Sequence, residues 1–150
     1  MKPILIIANL PSPNTQRLFD AVTQGVNFSG MDALSLTPAA AHAEHVLQAS
    51  AVIIGTTENF GYMSGAIKDF FERIYYPCLE QTQGLPMALY IKAGLDGTGA
   101  KNSVERITSG LRWRLVQEPL ILKGEFKQSF VDACTELGTG IGEGVKLGIF

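Results

Sequence analysis

Five short apolar runs punctuate the chain: Ile4 to Ala8, Ala33 to Leu36, Ala51 to Ile54, Met87 to Ile91 and Leu120 to Leu122. The first and third are continuous rather than alternating, the pattern of strands covered on both faces. The intervals between runs carry helical spacing. Ile67, Phe70, Phe71 and Ile74 fall at i, i+3, i+4 and i+7 and share one face, with Lys68, Asp69, Glu72 and Arg73 on the other. Leu18, Phe19 and Val22 make a similar stripe between Thr15 and Gly25, a glycine suited to a C-cap. Pro38 predicts the start of an alanine-rich helix running to about Ser50. Val104, Ile107 and Leu111 share a face of a fourth helix. Phe126 to Leu137 begins a last one, which Gly138, Gly140, Gly142 and Gly144 are expected to shorten. Strand followed by helix, five times over, predicts one domain, residues 1–150, with an open, mainly parallel α/β sheet and helices on both faces.

Composition narrows the class. Of 150 residues, 46% are hydrophobic and 17% charged, which supports a core and argues against disorder. Twelve basic against 14 acidic residues leave a net charge of −2. A nucleic-acid surface needs a basic face, so nucleic acid is not an expected partner. No stretch approaches the roughly 20 apolar residues of a membrane span, and no small-residue cleavage site follows the first run. Cys78 and Cys134 form no CxxC or Cys/His cluster and read as thiols of a reducing compartment. The expectation is a soluble, cytoplasmic protein without membrane insertion.

In sheets of this kind ligands bind beyond the carboxyl ends of the strands, where strand order reverses. The loops at those positions are unusual. After the first run comes Asn9-Leu10-Pro11-Ser12-Pro13-Asn14-Thr15-Gln16, a proline-braced turn leading into a helix. A helix N-terminus offers free N–H groups and partial positive charge to an anion, yet Ser, Asn and Thr are equally ordinary caps. After the third run comes Gly55-Thr56-Thr57-Glu58-Asn59-Phe60-Gly61-Tyr62-Met63-Ser64-Gly65. It either lays backbone groups along a planar heterocycle or packs its aromatics against a neighbour. After the fourth comes Ala93-Gly94-Leu95-Asp96-Gly97-Thr98-Gly99, either a close backbone approach to a ligand or a flexible turn.

The segment Gly55 to Arg73 resembles the third-strand loop and helix of the flavodoxin-like NAD(P)H-dependent FMN oxidoreductases, which carry a pattern of the type G-[ST]-P-x-x-[FY]-G-x-M-x-[AG]-x-x-K-x-F-x-D-[RQ]. The first loop resembles their phosphate loop and Ala93 to Ala100 their third, glycine-rich loop, so the resemblance runs from about residue 3 to 124. It implies a doubly wound, five-stranded parallel sheet in the order 2-1-3-4-5, the flavodoxin topology with its ligand at the first and third strands. It also implies FMN, with Ser12, Asn14, Thr15 and Gln16 around the phosphate. Thr57, Glu58, Asn59, Phe60 and Gly61 would flank the flavin ring on one side and Ala93, Gly94, Asp96 and Gly97 on the other. Three departures stand out: Leu10 replaces the first hydroxyl of the phosphate loop, Pro13 replaces its glycine, and Thr57 replaces the usual proline of the second loop, with acidic Glu58 beside the ring position.

Two redox readings follow. Electron-carrying flavodoxins are usually strongly acidic and stack an aromatic from the third loop on the flavin; here the charge is only −2 and Ala93 to Gly99 holds no aromatic. An uncovered ring face favours an NAD(P)H-dependent oxidoreductase, with NADH or NADPH as co-substrate and a quinone-like or other small molecule as acceptor. The flavin itself would do the chemistry, with no catalytic side chain and no metal. A flavodoxin-type carrier is the alternative, and a flavin-free binding module of the same fold is the third reading, since fold does not fix function. The first and third strands end in Ala8-Asn9 and Gly55-Thr56 instead of acidic residues, which argues against a phosphoacceptor receiver. The resemblance also implies a homodimer or homotetramer that completes the flavin pocket.

Other suggestive residues have plainer readings. His42 and His45 lack a third ligand and read as a solvated helix face. Trp113, between Arg112 and Arg114, reads as an indole packed inward. Arg17 is expected to face water, and Lys68 and Arg73 to form salt bridges or a subunit contact.

Overall fold

A computed structural model describes all 150 residues. The strands are β1 (Ile4–Ala8), β2 (Ala33–Leu36), β3 (Ala51–Asn59), β4 (Tyr62–Met63), β5 (Pro86–Ala93), β6 (Arg114–Leu115) and β7 (Leu120–Lys123). The helices are α1 (Pro13–Phe28), α2 (Ala43–Leu47), α3 (Gly65–Cys78), α4 (Thr98–Gly110) and α5 (Gln128–Lys146), with a 3₁₀ turn at Pro38–Ala40. The sheet runs β2-β1-β3-β5-β6, all parallel. The parallel α/β sheet is therefore as expected, but it holds seven strands, not five. β4 is an antiparallel appendage of β3, and β7 runs along β5 beyond β6. β6 and β7 pair with opposite ends of β5, Pro86–Met87 and Tyr90–Ala93. One outer strand position is thus split by Gln117, Glu118 and Pro119, where proline cannot donate to a ladder.

Two cores follow from strand alternation. Leu5, Ile7, Val52, Ile54, Leu89 and Ile91 face α3 and α4, whose Ile67, Phe70, Phe71, Ile74 and Val104 are fully buried. Ile4, Ile6, Ile53, Ala88 and Tyr90 face α1 and α5. Trp113 is buried in the first of these cores and its indole N–H donates to the Thr82 hydroxyl at 2.8 Å, so the inward reading holds.

Two helices differ from expectation. The alanine-rich helix breaks at Ala41 and His42, both extended. Arg73 explains the break: its guanidinium donates to the carbonyls of Pro38 (2.6 Å) and Ala41 (2.8 Å) while also pairing with Asp69. The last helix runs through its glycines to Lys146, and two of them, Gly138 and Gly142, form its close contact with α1 and the Ser29 cap of that helix. A Cβ on Gly138 would overlap the Val22 carbonyl, and one on Gly25 the Thr135 carbonyl. No helix is long and apolar enough to cross a membrane.

Candidate functional site

β1 and β3 are neighbours, yet the chain leaves them for helices on opposite faces: α1 joins one core and α3 the other. That divergence opens a crevice at their carboxyl ends, and β5, on the far side of β3, brings the third loop to the same rim.

The first loop caps its own helix. Ser12 Oγ accepts from Thr15 N–H (3.2 Å), Thr15 Oγ1 accepts from Ser12 N–H (3.0 Å), and the Thr15 hydroxyl donates to Ser12 O (2.9 Å). Pro11 and Pro13 have no N–H. Gln16 turns along the helix to Asp20 (2.9 Å), and Arg17 donates to Gln128 (2.9 Å) with its guanidinium 4.8 Å above the Phe126 ring. Of the four residues expected around a phosphate, Asn14 alone is exposed with no side-chain hydrogen bond, and as the second residue of α1 its N–H has no helical acceptor.

What reads as a loop after the third run is largely strand. Thr57, Glu58 and Asn59 extend β3, Asn59 pairs with Tyr62, and Phe60-Gly61 is a two-residue hairpin turn with φ +54° and +69°. Positive φ at both centres is the type I′ signature, which fits the twist of flanking strands and favours Asn-Gly. Phe60 departs from that preference and lies wholly in solvent (106% exposed).

The hairpin is fastened at both ends. Asn9, which no motif singles out, donates its amide to Thr57 Oγ1 (3.0 Å) and accepts from Thr57 N–H (3.1 Å), tying β1 to β3. Glu58 does not face solvent freely: its carboxylate accepts from the N–H groups of Gly97 (3.2 Å) and Ala100 (3.1 Å). It thus caps α4 from another strand, placing negative charge where the helix dipole favours it. Gly97 opens α4 at φ +77°, and Gly99 lies against the Gly61 carbonyl, leaving no room for a Cβ. The second and third loops therefore form one rigid wall. In the third loop Ala93 is buried, Gly94 and Leu95 are exposed, and the Thr98 N–H, donating to Asp96 at 2.7 Å, holds that carboxyl below the usual range.

Beneath the rim lie two further residues that sequence reasoning missed, Tyr90 and Lys92 of β5. With Asn9, Thr15 and Thr57 they border a cavity of about 10 Å³. Their signal in the sequence is faint, a phenol inside an apolar run and a lysine just after it. A shallow hollow of about 340 Å³ on the flank of α3, between Phe71, Tyr75, Tyr76 and Ile107, lies away from the strand ends, and its two charged residues, Lys68 and Glu72, pair with each other.

No family model and no curated protein matches this chain. Solved structures do. A flavodoxin from the domain Archaea superposes with a TM-score of 0.85 at 17% identity, covering 96% of this chain and 99% of that one. The fold is flavodoxin-like. The two-electron reduced flavodoxin of Megasphaera elsdenii shares it at a TM-score of 0.78 and 14% identity, over 93% and 98% of the two chains. So does the rubredoxin oxygen:oxidoreductase of Desulfovibrio gigas, at 0.83 and 14%, but there 99% of this chain spans only 38% of the larger protein. The flavodoxin-like fold carries its ligand crevice at the β1–β3 switch, the position of the rim described here.

The remaining candidates resolve simply. His45 Nδ1 accepts from the His42 N–H at 2.9 Å and the two rings stack, a helix-capping arrangement. No group of three or more metal-ligating side chains exists. Lys68 pairs with Glu72 at 3.1 Å.

Proposed function

We propose that this chain binds flavin mononucleotide across the rim and passes electrons through it. The observation that carries this reading is Phe60: a bulky aromatic, wholly in solvent, in a left-handed conformation that disfavours it, at the tip of a hairpin braced against the third loop. Strain held by a rigid frame points to function, and a bare aromatic there suits a planar ring. The third loop presents Leu95, 85% exposed, and a Cβ added at Gly61 or Gly94 would meet open space. The ring is thus offered Phe60 and the backbone of Thr57 to Gly61 from one loop and Ala93 to Gly97 from the other. The phosphate is offered Asn14 and the start of α1. When bound, the flavin supplies hydride and single-electron transfer; the chain orients it and sets the polarity around it.

Within that function, an NAD(P)H-dependent oxidoreductase is supported by the third loop, whose one large exposed side chain is the aliphatic Leu95. One face of the ring then lacks an aromatic cover and is open to a nicotinamide or a quinone-like acceptor. The carrier reading is supported by the end-to-end likeness to single-domain flavodoxins. Titrating purified protein with FMN decides the first level: a yellow 1:1 complex is expected, and a colourless protein that takes up no flavin refutes it. Anaerobic mixing of the loaded protein with NADH and NADPH decides the second. Bleaching by either nucleotide supports the oxidoreductase, and reduction by a ferredoxin reductase alone supports the carrier.

A further inference from the structure

The first loop is short of donors for a dianion. Two of its positions are prolines, the N–H groups of Ser12 and Thr15 are taken by each other's hydroxyls, and Arg17 is drawn to Gln128 and Phe126. Phosphate sites at helix starts depend on several N–H groups converging, and hydrogen bonds to a charged oxygen are the strong ones.

We infer that Tyr90 and Lys92, on one face of β5, form the floor of a phosphate subsite at the N-terminus of α1 and supply the hydroxyl and ammonium donors that the proline-rich loop lacks. The inference rests on the proposed function, in which the phosphate belongs to the flavin nucleotide.

Register places Tyr90 there. Tyr90 pairs with Gly55, and Gly55 with Ala8, the last residue before the first loop. A Cβ on Gly55 would overlap the ring and hydroxyl of Tyr90, so glycine lets the phenol cross β3 towards β1. Tyr90 is 3% exposed, and its hydroxyl is the one buried side-chain oxygen or nitrogen in the molecule without a hydrogen-bond partner. An orphaned donor of this kind is costly and calls for an explanation. Burial pushes its ionisation well above the ordinary phenol range, so it remains an O–H. Tyr90 borders the cavity of about 10 Å³ together with Thr15 of the first turn of α1, and that space holds about one oxygen atom.

Lys92 borders the same cavity. Its ammonium donates to the carbonyls of Gly124 (2.6 Å) and Ala93 (3.4 Å), leaving a third N–H, and the three ion pairs of the molecule all involve other residues. It is a partly buried cation without a carboxylate, on the second strand over from β1 and bordering the same cavity as Thr15 of the first turn of α1.

The test compares the full-length protein with Tyr90→Phe and Lys92→Met by titration with FMN, with riboflavin, which lacks the phosphate, and with inorganic phosphate. Each substitution is expected to weaken FMN by about tenfold and to move riboflavin by less than about twofold. Phosphate should raise the melting temperature of the wild type and not of either variant. Without ligand, Tyr90→Phe should melt no lower than the wild type, because it removes an unpaired buried hydroxyl and no hydrogen bond. Equal losses for FMN and riboflavin, or an unchanged phosphate response in Tyr90→Phe, would overturn the subsite. Wild-type protein that binds neither flavin would refute the proposed function, while the phosphate titration would still decide the subsite.

Discussion

At Phe60 the backbone sits at φ +54° with the side chain in water, so neither local conformation nor burial favours phenylalanine. Left-handed backbone costs a non-glycine residue about 1–2 kcal/mol, and Asn-Gly is the preferred pair for this turn. Phe60→Asn is therefore expected to stabilise the protein by about 1 kcal/mol, a rise of roughly 2–4 °C in melting temperature, while weakening FMN. Parallel thermal melts and flavin titrations check both arms. A variant that gains stability and keeps full affinity would remove the aromatic from the site. Glu58 shows the reverse economy of roles. An acidic residue near a ring edge reads as electrostatic tuning, but its two hydrogen bonds to Gly97 and Ala100 make it first a clamp between two loops.

At the scale of elements, α1 and α5 come together through glycine. Gly25 and Gly138 each sit where a Cβ would overlap a carbonyl of the facing helix, and backbone cannot swing aside as a side chain can. Gly138→Ala would improve intrinsic helix propensity by about 1 kcal/mol, yet overpacking of this kind typically costs about 1–3 kcal/mol. The net expectation is a lower melting temperature, whereas Gly140→Ala, with open space around it, is expected to raise it. Differential scanning calorimetry of the two variants separates these effects, and equal shifts would show that the helices part easily. The same packing explains why α5 continues where composition alone suggests a stop. Conversely, Arg73 stops a helix that alanines would have continued, by taking two of its carbonyls.

For the whole molecule, buried thiols set an alkaline limit. Burial pushes Cys78 up to about 11 and Cys134 up to about 12. Unfolded cysteine ionises near 8.5, so above that value the unfolded chain loses protons that the folded chain keeps, and stability falls with rising pH. The contribution is whole below about pH 8 and is lost progressively towards the folded values. Urea melts from about pH 7 to pH 11 should show that decline, and Ellman's reagent at about pH 8 should find neither thiol reactive in the native state. A stability profile flat to pH 11 would contradict the burial. Much of this molecule was legible in the chain itself. Runs such as Ile4 to Ala8 have the length and continuity of two-sided strands, the spacing of Ile67, Phe70, Phe71 and Ile74 defines a helix face, and alternation of the two points to a parallel sheet. Those features are local, because each depends on periodicity within a dozen residues. Only the tertiary structure decided that Phe60-Gly61 is a hairpin turn, that the outermost strand position is split in two, that Glu58 caps a helix about 40 residues further on, and that Tyr90 reaches beneath the first loop across Gly55. Each of these depends on partners distant in sequence, whose proximity is created by strand order and register and leaves no periodic trace.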